Sequence, residues 1–121
     1  MPRRRLVQVA RVSAATSRAI REFERARSHP GLVAQSLHAW SRFVHGPARA
    51  IVADLTYTDD WHDADDPVTA RYMLRMALAA LPGKAARELR TLLEPLDELY
   101  LTRSLPVPEH AHIRELLLVE G

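Results

Sequence analysis

The sequence predicts an all-α protein, folded as a single-domain bundle of five or six short helices with no significant sheet. Apolar residues recur at intervals of three and four through most of the chain, as they do along one face of a helix. Proline and glycine divide the chain into segments of ordinary helix length. The chain has 121 residues, of which 47% are hydrophobic, so residues 1–121 suffice for one helical domain with a genuine core.

The first helix is predicted over residues 3–28. Alternate steps of three and four place a mixed apolar and hydroxylated stripe on it: Leu6, Val9, Ser13, Thr16, Ile20 and Phe23. An alternative interpretation makes Leu6 to Val12 a short strand and starts the helix after Ser13, whose hydroxyl would cap it. We favour the continuous helix.

The second helix is expected to begin at Pro30, where a missing amide hydrogen is harmless, and to stop at Gly46-Pro47. Its buried stripe is predicted to contain Val33, Leu37, Trp40 and Val44, widened by Leu32 and Phe43. Residues 47–57 then include an apolar run too short to classify by its period. A short helix and a strand both remain open for that segment.

The third helix has the clearest start in the chain. The carboxylate of Asp66 can cap free backbone amides, and Pro67 suits the first helical position. Before the break at Pro82-Gly83, this helix is predicted to present Tyr72, Met73, Met76, Ala77 and Leu81.

The next helical segment carries a leucine stripe interrupted by Pro95. Because proline cannot donate a backbone hydrogen bond, we expect a kink there or two abutting helices. An extended link through Pro106 and Pro108 leads to a closing amphipathic helix over residues 110–119. The chain from 67 to 119 is therefore predicted to be mostly helical.

Charge is unevenly distributed. Eight of the arginines precede residue 30, against only Glu22 and Glu24, whereas an acidic loop at 58–66 holds the five aspartates of what we call the aspartate segment: Asp59, Asp60, Asp63, Asp65 and Asp66. Such poles attract each other, a second copy of the chain, or an outside partner. Arginine greatly outnumbers lysine, which occurs only as Lys84. That bias is typical of a GC-rich bacterial genome. The positions of the arginines are therefore better evidence about a binding partner than their number.

The function that these observations favour is a small, non-enzymatic interaction module that binds a protein partner or itself through helix faces. Coiled-coil spacing in the second half supplies the candidate contact residues. They are Leu89, Leu92, Leu96 and Leu99, followed by Ile113, Leu116 and Leu117 in the closing helix.

The first alternative is a nucleic-acid-associated protein. On a continuous first helix, a seven-residue repeat would align a narrow basic ridge able to follow phosphates. The ridge would consist of Arg4, Arg11, Arg18 and Arg25, with Arg21 beside them.

The second alternative is a metal-dependent enzyme built on the aspartate segment, but the spacing of its acids does not match a calcium loop. The sequence contains no cysteine and no glycine-rich phosphate loop. We therefore assign no catalytic residue, metal or cofactor. The missing cysteine favours a reducing compartment, and charges interrupt every apolar run before the roughly 20 residues that a bilayer requires. We expect a cytoplasmic protein without a membrane partner.

Overall fold

The computed structural model describes residues 9–47, residues 67–104 and Leu117. Within these residues the chain forms four long helices and no strand: α1 (Ala14–Ala26), α2 (Leu32–Val44), α3 (Pro67–Ala80) and α4 (Gly83–Ser104). The prediction of an all-helical fold is confirmed for the described residues, which hold four such helices rather than five or six. The undecided segment at 47–57 begins at the edge of the described residues, and the predicted helix at 110–119 is described only at Leu117, which is helical.

The start of α1 corrects the prediction of a helix over residues 3–28. The described residues before Ser13 are neither helix nor strand, and Ser13 caps α1 by accepting a 3.2 Å hydrogen bond from the Thr16 amide. Arg11 lies in the left-handed region, with φ at 65°. The apolar spacing typical of a helix therefore extends to residues that precede α1. The Ser13 cap sets the start of α1, as the alternative interpretation predicted for this residue.

The end of α1 forms a Schellman motif. The Ser28 amide donates to the Arg25 carbonyl and the His29 amide to the Glu24 carbonyl, both at 3.0 Å. Ser28 occupies the position that normally carries glycine, and its φ of 52° is left-handed. The motif ends α1 and turns the chain toward α2.

The α2 helix buries the predicted stripe. Val33, Trp40 and Val44 are almost fully enclosed, and Leu37 is half-buried. The helix starts at Leu32, two residues after Pro30, because Gly31 adopts a left-handed conformation with φ at 81°. The side chain of Glu24 on α1 caps this end of α2 by accepting hydrogen bonds from the amides of Gly31 and Val33, at 3.0 and 2.8 Å.

The predicted buried face of α3 is confirmed at Ala77 and Leu81, which lie in the core. It is wrong at Tyr72 and Met76, which are 41% and 42% exposed, whereas Arg71 is 1% exposed. Apolar character alone does not reveal that Arg71 is buried by its pairing with Asp97. The described part of α3 starts at Pro67, and the proposed Asp66 cap lies outside the described residues.

The core lies between all four helices, and α2 packs most extensively against α3. Its centre is aromatic: the ring of Trp40 lies 5.0 Å from that of Tyr100 and 5.8 Å from that of Phe43. The α4 helix continues through Pro95 without splitting. Pro95 and Thr91, whose carbonyl loses its usual donor, are both exposed.

Candidate functional site

The structure divides the leucines predicted to bind a partner. Leu89 is fully buried and Leu117 is 6% exposed, so both belong to the core. Leu96 and Leu99 are half-buried and pack against that core. Leu92 is also half-buried, but its side chain lines a surface groove. Ile113 and Leu116 lie outside the described residues.

This groove, which we call the α2–α4 groove, has a volume of about 340 Å³. Three elements line it: Val9, Ala10 and Arg11 before α1, then Ala34, Leu37, His38 and Ser41 on α2, and Leu92 on α4. Its volume lies at the lower end of the range for ligand pockets, about 300–1,000 Å³. A second cavity, between α4 and Leu117, has only about 150 Å³. The α2–α4 groove is therefore the better candidate site.

One wall of the groove is the segment before α1, and Glu88 on α4 holds it in place. The Glu88 carboxylate accepts hydrogen bonds from the backbone amide and hydroxyl of Ser13, at 2.7 and 3.0 Å, and from the Thr16 hydroxyl at 2.5 Å. These hydrogen bonds, led by that of Thr16, lower the pKa of Glu88 below its ordinary value. Glu88 thus anchors the start of α1 to α4.

The other two walls are also fixed relative to each other. Asp97 on α4 accepts a 3.0 Å hydrogen bond from the indole nitrogen of Trp40 on α2. The guanidinium of Arg103 on α4 donates a 2.6 Å hydrogen bond to the Val44 carbonyl at the end of α2. These two bonds join α2 and α4 directly and fix the position of one helix relative to the other.

Asp97 also forms a buried salt bridge. Arg71 donates from Nε at 3.0 Å and from Nη2 at 2.8 Å, so the pair is bidentate. The side chains of Arg71 and Asp97 are 2% and 18% exposed. Together with the hydrogen bond from Trp40, these contacts engage both carboxylate oxygens of Asp97 and join α2, α3 and α4. Asp97 therefore has a structural role.

Basic residues lie at the mouth of the groove. Arg11 and His38 are exposed and contribute to the lining, and Arg42, one turn after His38, is exposed on the same helix. Neither the α2 helix nor the lining of the groove contains an aspartate or glutamate. The arrangement combines an apolar floor with the guanidinium of Arg11 at one edge, which suits an apolar side chain accompanied by a carboxylate.

The predicted basic ridge does not form as one ridge. Arg18, Arg21 and Arg25 are exposed on α1, but Arg11 precedes the helix and points into the groove lining. Arg4 lies outside the described residues. The seven-residue repeat does not produce a single ridge, because α1 starts after the Ser13 cap. Arg11 precedes the helix and is therefore not aligned with the arginines on it.

In the described ranges no group of three or more histidine, aspartate or glutamate side chains could hold a metal ion. The aspartate segment lies outside these ranges. No helix among the described residues is both long enough and apolar enough to cross a membrane.

The sequence analysis did not predict that Glu88, Arg11 and His38 help to form the α2–α4 groove. For Glu88 the sequence did contain a signal: Ser13 is a capping hydroxyl, and Thr16 adds a second hydroxyl on the buried stripe. Local sequence cannot identify their common partner, because Glu88 lies 75 residues after Ser13. Comparison with protein-family models, with characterised proteins and with solved structures finds no match for this chain.

Proposed function

We propose that this chain is a small cytoplasmic helical interaction module that binds a protein partner in the α2–α4 groove and catalyses no reaction. The partner inserts apolar side chains from an amphipathic helix and places carboxylates toward Arg11 and His38. The observation that carries the proposal is the groove itself, which combines Leu37 and Leu92 with a cationic edge.

The mode of binding follows from the shape and chemistry of the groove. Helix-in-groove recognition uses apolar anchors spaced three and four residues apart, which enter a hydrophobic groove between helices. The half-buried Leu92 and Leu37 supply the apolar surface on opposite walls. The hydrogen bonds between α2 and α4 lower the cost of ordering these walls when a partner binds.

The charge at the mouth selects the partner. Arg11 and His38 lie on the side of the groove formed by the leading segment and α2, where no acid occurs in the lining. Arg42 is exposed on α2 one turn after His38. Complementary charges raise the association rate and disfavour partners of the wrong sign. An acid-flanked helix therefore fits better than a lysine-flanked one.

A pair of synthetic peptides tests this function. Both are alanine-based helices of about 15 residues with the same leucine face, flanked in one by glutamate and in the other by lysine. Titration by fluorescence anisotropy should show binding of the acid-flanked peptide. Leu92→Gln should weaken that binding about tenfold, equivalent to roughly 1.4 kcal/mol.

The matched control is Met76→Gln, which changes an exposed apolar side chain on α3, away from the groove lining. It should leave the affinity unchanged. Equal weakening by both variants, or binding of neither peptide, would overturn the proposal. Light scattering over a wide concentration range examines self-association: a dimer abolished by Leu92→Gln would replace the foreign partner with a second copy.

A further inference from the structure

The exposed face of α1 carries three arginines that the groove does not use. We propose that Arg18, Arg21 and Arg25, here called the arginine face, bind the phosphate groups of a nucleic-acid backbone without reading its sequence. This surface is separate from the α2–α4 groove, since none of its residues lines that groove.

Helix geometry places the three side chains together. At about 100° per residue, they fall within roughly 60° of one another around α1. The buried residues Thr16 and Ile20 lie on the opposite side of the helix. All three arginines are exposed, so the whole face points away from the core.

The spacing along the helix suits a phosphate backbone. From Arg18 to Arg25 the axial rise is about 10.5 Å, at about 1.5 Å per residue. Phosphates of one strand of duplex DNA are separated by about 3.4 Å along its axis, so the face spans about three phosphate steps. Guanidinium groups also match phosphate oxygens with paired hydrogen bonds.

Among the described residues, this face carries a net positive charge. Of the two glutamates on α1, Glu24 is 6% exposed and is engaged in capping α2, which leaves Glu22 as the exposed acid. In the described part of the chain, no ion pair within 4.0 Å involves Arg18, Arg21 or Arg25. The guanidinium of Arg27, by contrast, lies 4.7 Å above the ring of Phe23 and is directed elsewhere.

The composition of the face favours backbone contact over other uses. It contains neither an amide side chain to read base edges nor an aromatic ring to stack on them. The apolar side of α1 is packed into the protein core at Ile20, so this helix has no apolar face available to enter a lipid layer. Nucleic acid therefore suits this face better than an anionic membrane.

Salt dependence provides the decisive measurement. The full chain is titrated by fluorescence anisotropy into a labelled mixed-sequence duplex and into labelled single-stranded oligothymidine, over about 50–200 mM salt. Three phosphate contacts contribute a slope of about −2.7 to log K against log salt for the duplex and about −2.1 for the single strand. Across this fourfold range, the duplex contribution equals about a 40-fold loss of affinity.

The test variant is Arg18→Gln, Arg21→Gln, Arg25→Gln, and its charge-matched control is Arg75→Gln, Lys84→Gln, Arg87→Gln, three positions outside both the arginine face and the groove lining. The test variant should have a duplex slope shallower by about 2.7 than the wild type, whereas the control should retain most of the slope. Glu22→Gln should tighten binding because it removes the exposed acid beside the face. Circular dichroism melts verify that each variant is folded.

The proposal is overturned if the wild type does not bind at about 50 mM salt, or if the test and control variants change the slope equally. It is also overturned if polyglutamate or phosphatidylserine vesicles bind as tightly as the oligonucleotides and lose that binding in the test variant. Failure here leaves the groove proposal standing, because the peptide assay depends on Leu92 and not on this face.

Discussion

The carboxylate of Glu88 on α4 accepts a 2.5 Å hydrogen bond from the hydroxyl of Thr16 on α1, 72 residues earlier in the chain. The same carboxylate accepts from the amide and hydroxyl of Ser13 at the start of α1. Glu24 does the same for the start of α2. In both cases a glutamate on another helix satisfies the free amides and complements the positive helix end.

The contribution of Glu88 to stability should depend on pH. Its pKa is lowered in the folded protein, so its stabilising effect is fully present above the ordinary glutamate pKa of about 4.3 and is lost as the pH falls through the folded value. Glu88→Gln should therefore lower the melting temperature at pH 7. The difference from the wild type should shrink in acid, where the wild-type carboxyl is itself neutral.

Melting curves recorded from neutral to acid pH measure this effect. Glu98→Gln is a suitable control because Glu98 lies exposed on the same helix. The interpretation of Glu88 as a charged cap is contradicted if its variant shows a constant deficit at every pH. Since Glu88 holds the wall containing Arg11, its variant should also weaken binding of the acid-flanked peptide.

The Arg71–Asp97 pair should behave as a coupled unit. Asp97→Ala leaves a buried guanidinium without this partner, and we expect a loss of about 3 kcal/mol in the free energy of unfolding. That figure is the lower end of the range for breaking a buried pair, because the Asp97 side chain is 18% exposed. Arg71→Met should cost less, since Asp97 still accepts from Trp40.

Urea denaturation of both single variants and of the double variant completes a mutant cycle. The double variant should be more stable than the sum of the single losses predicts, by about 0.5–3 kcal/mol. Strict additivity would show that the pair contributes no coupling across α3 and α4.

Replacing Ser28 by glycine should stabilise the protein. Ser28 adopts a φ of 52° at the left-handed position of the Schellman motif, where a side chain costs about 1–2 kcal/mol. Glycine removes that cost but adds freedom to the unfolded chain, so we expect a net gain of about 0.5–1 kcal/mol. Thermal denaturation provides the measurement.

The control places the same glycine in a regular turn of α1. Ser17→Gly should lower the free energy of unfolding by about 1 kcal/mol, because glycine is unfavourable inside a helix. A loss at both positions would show that the left-handed conformation of Ser28 is not strained.

Ser36→Ala should also stabilise the chain. Ser36 is 0% exposed on α2, and its hydroxyl makes no side-chain hydrogen bond to the described residues. Removing an unsatisfied buried hydroxyl should add about 1 kcal/mol to the free energy of unfolding. Thr16→Val, which removes a buried hydroxyl that donates to Glu88, should instead destabilise the protein.

Guanidinium denaturation of both variants separates the two cases. Destabilisation by Ser36→Ala would mean that its hydroxyl has a partner, such as bound water, that supports α2.

Several features of the fold follow from the sequence alone because their causes are local. The helical periodicity and the break at Pro82-Gly83 depend on residues a few positions apart. The buried stripe of α2 was also predictable, since Val33, Trp40 and Val44 are apolar residues that recur at helical spacing on one face of the helix.

Other features were decided only by tertiary structure. Arg71 is buried because Asp97 reaches it from another helix, and this pairing leaves Tyr72 and Met76 exposed. Leu89 and Leu92 look equivalent by spacing, yet the position of α2 and of the leading segment places one in the core and the other in the groove. Capping and periodicity act within one or two turns of a helix, whereas the partner of a charged or apolar side chain is chosen by which distant helix the fold brings against it.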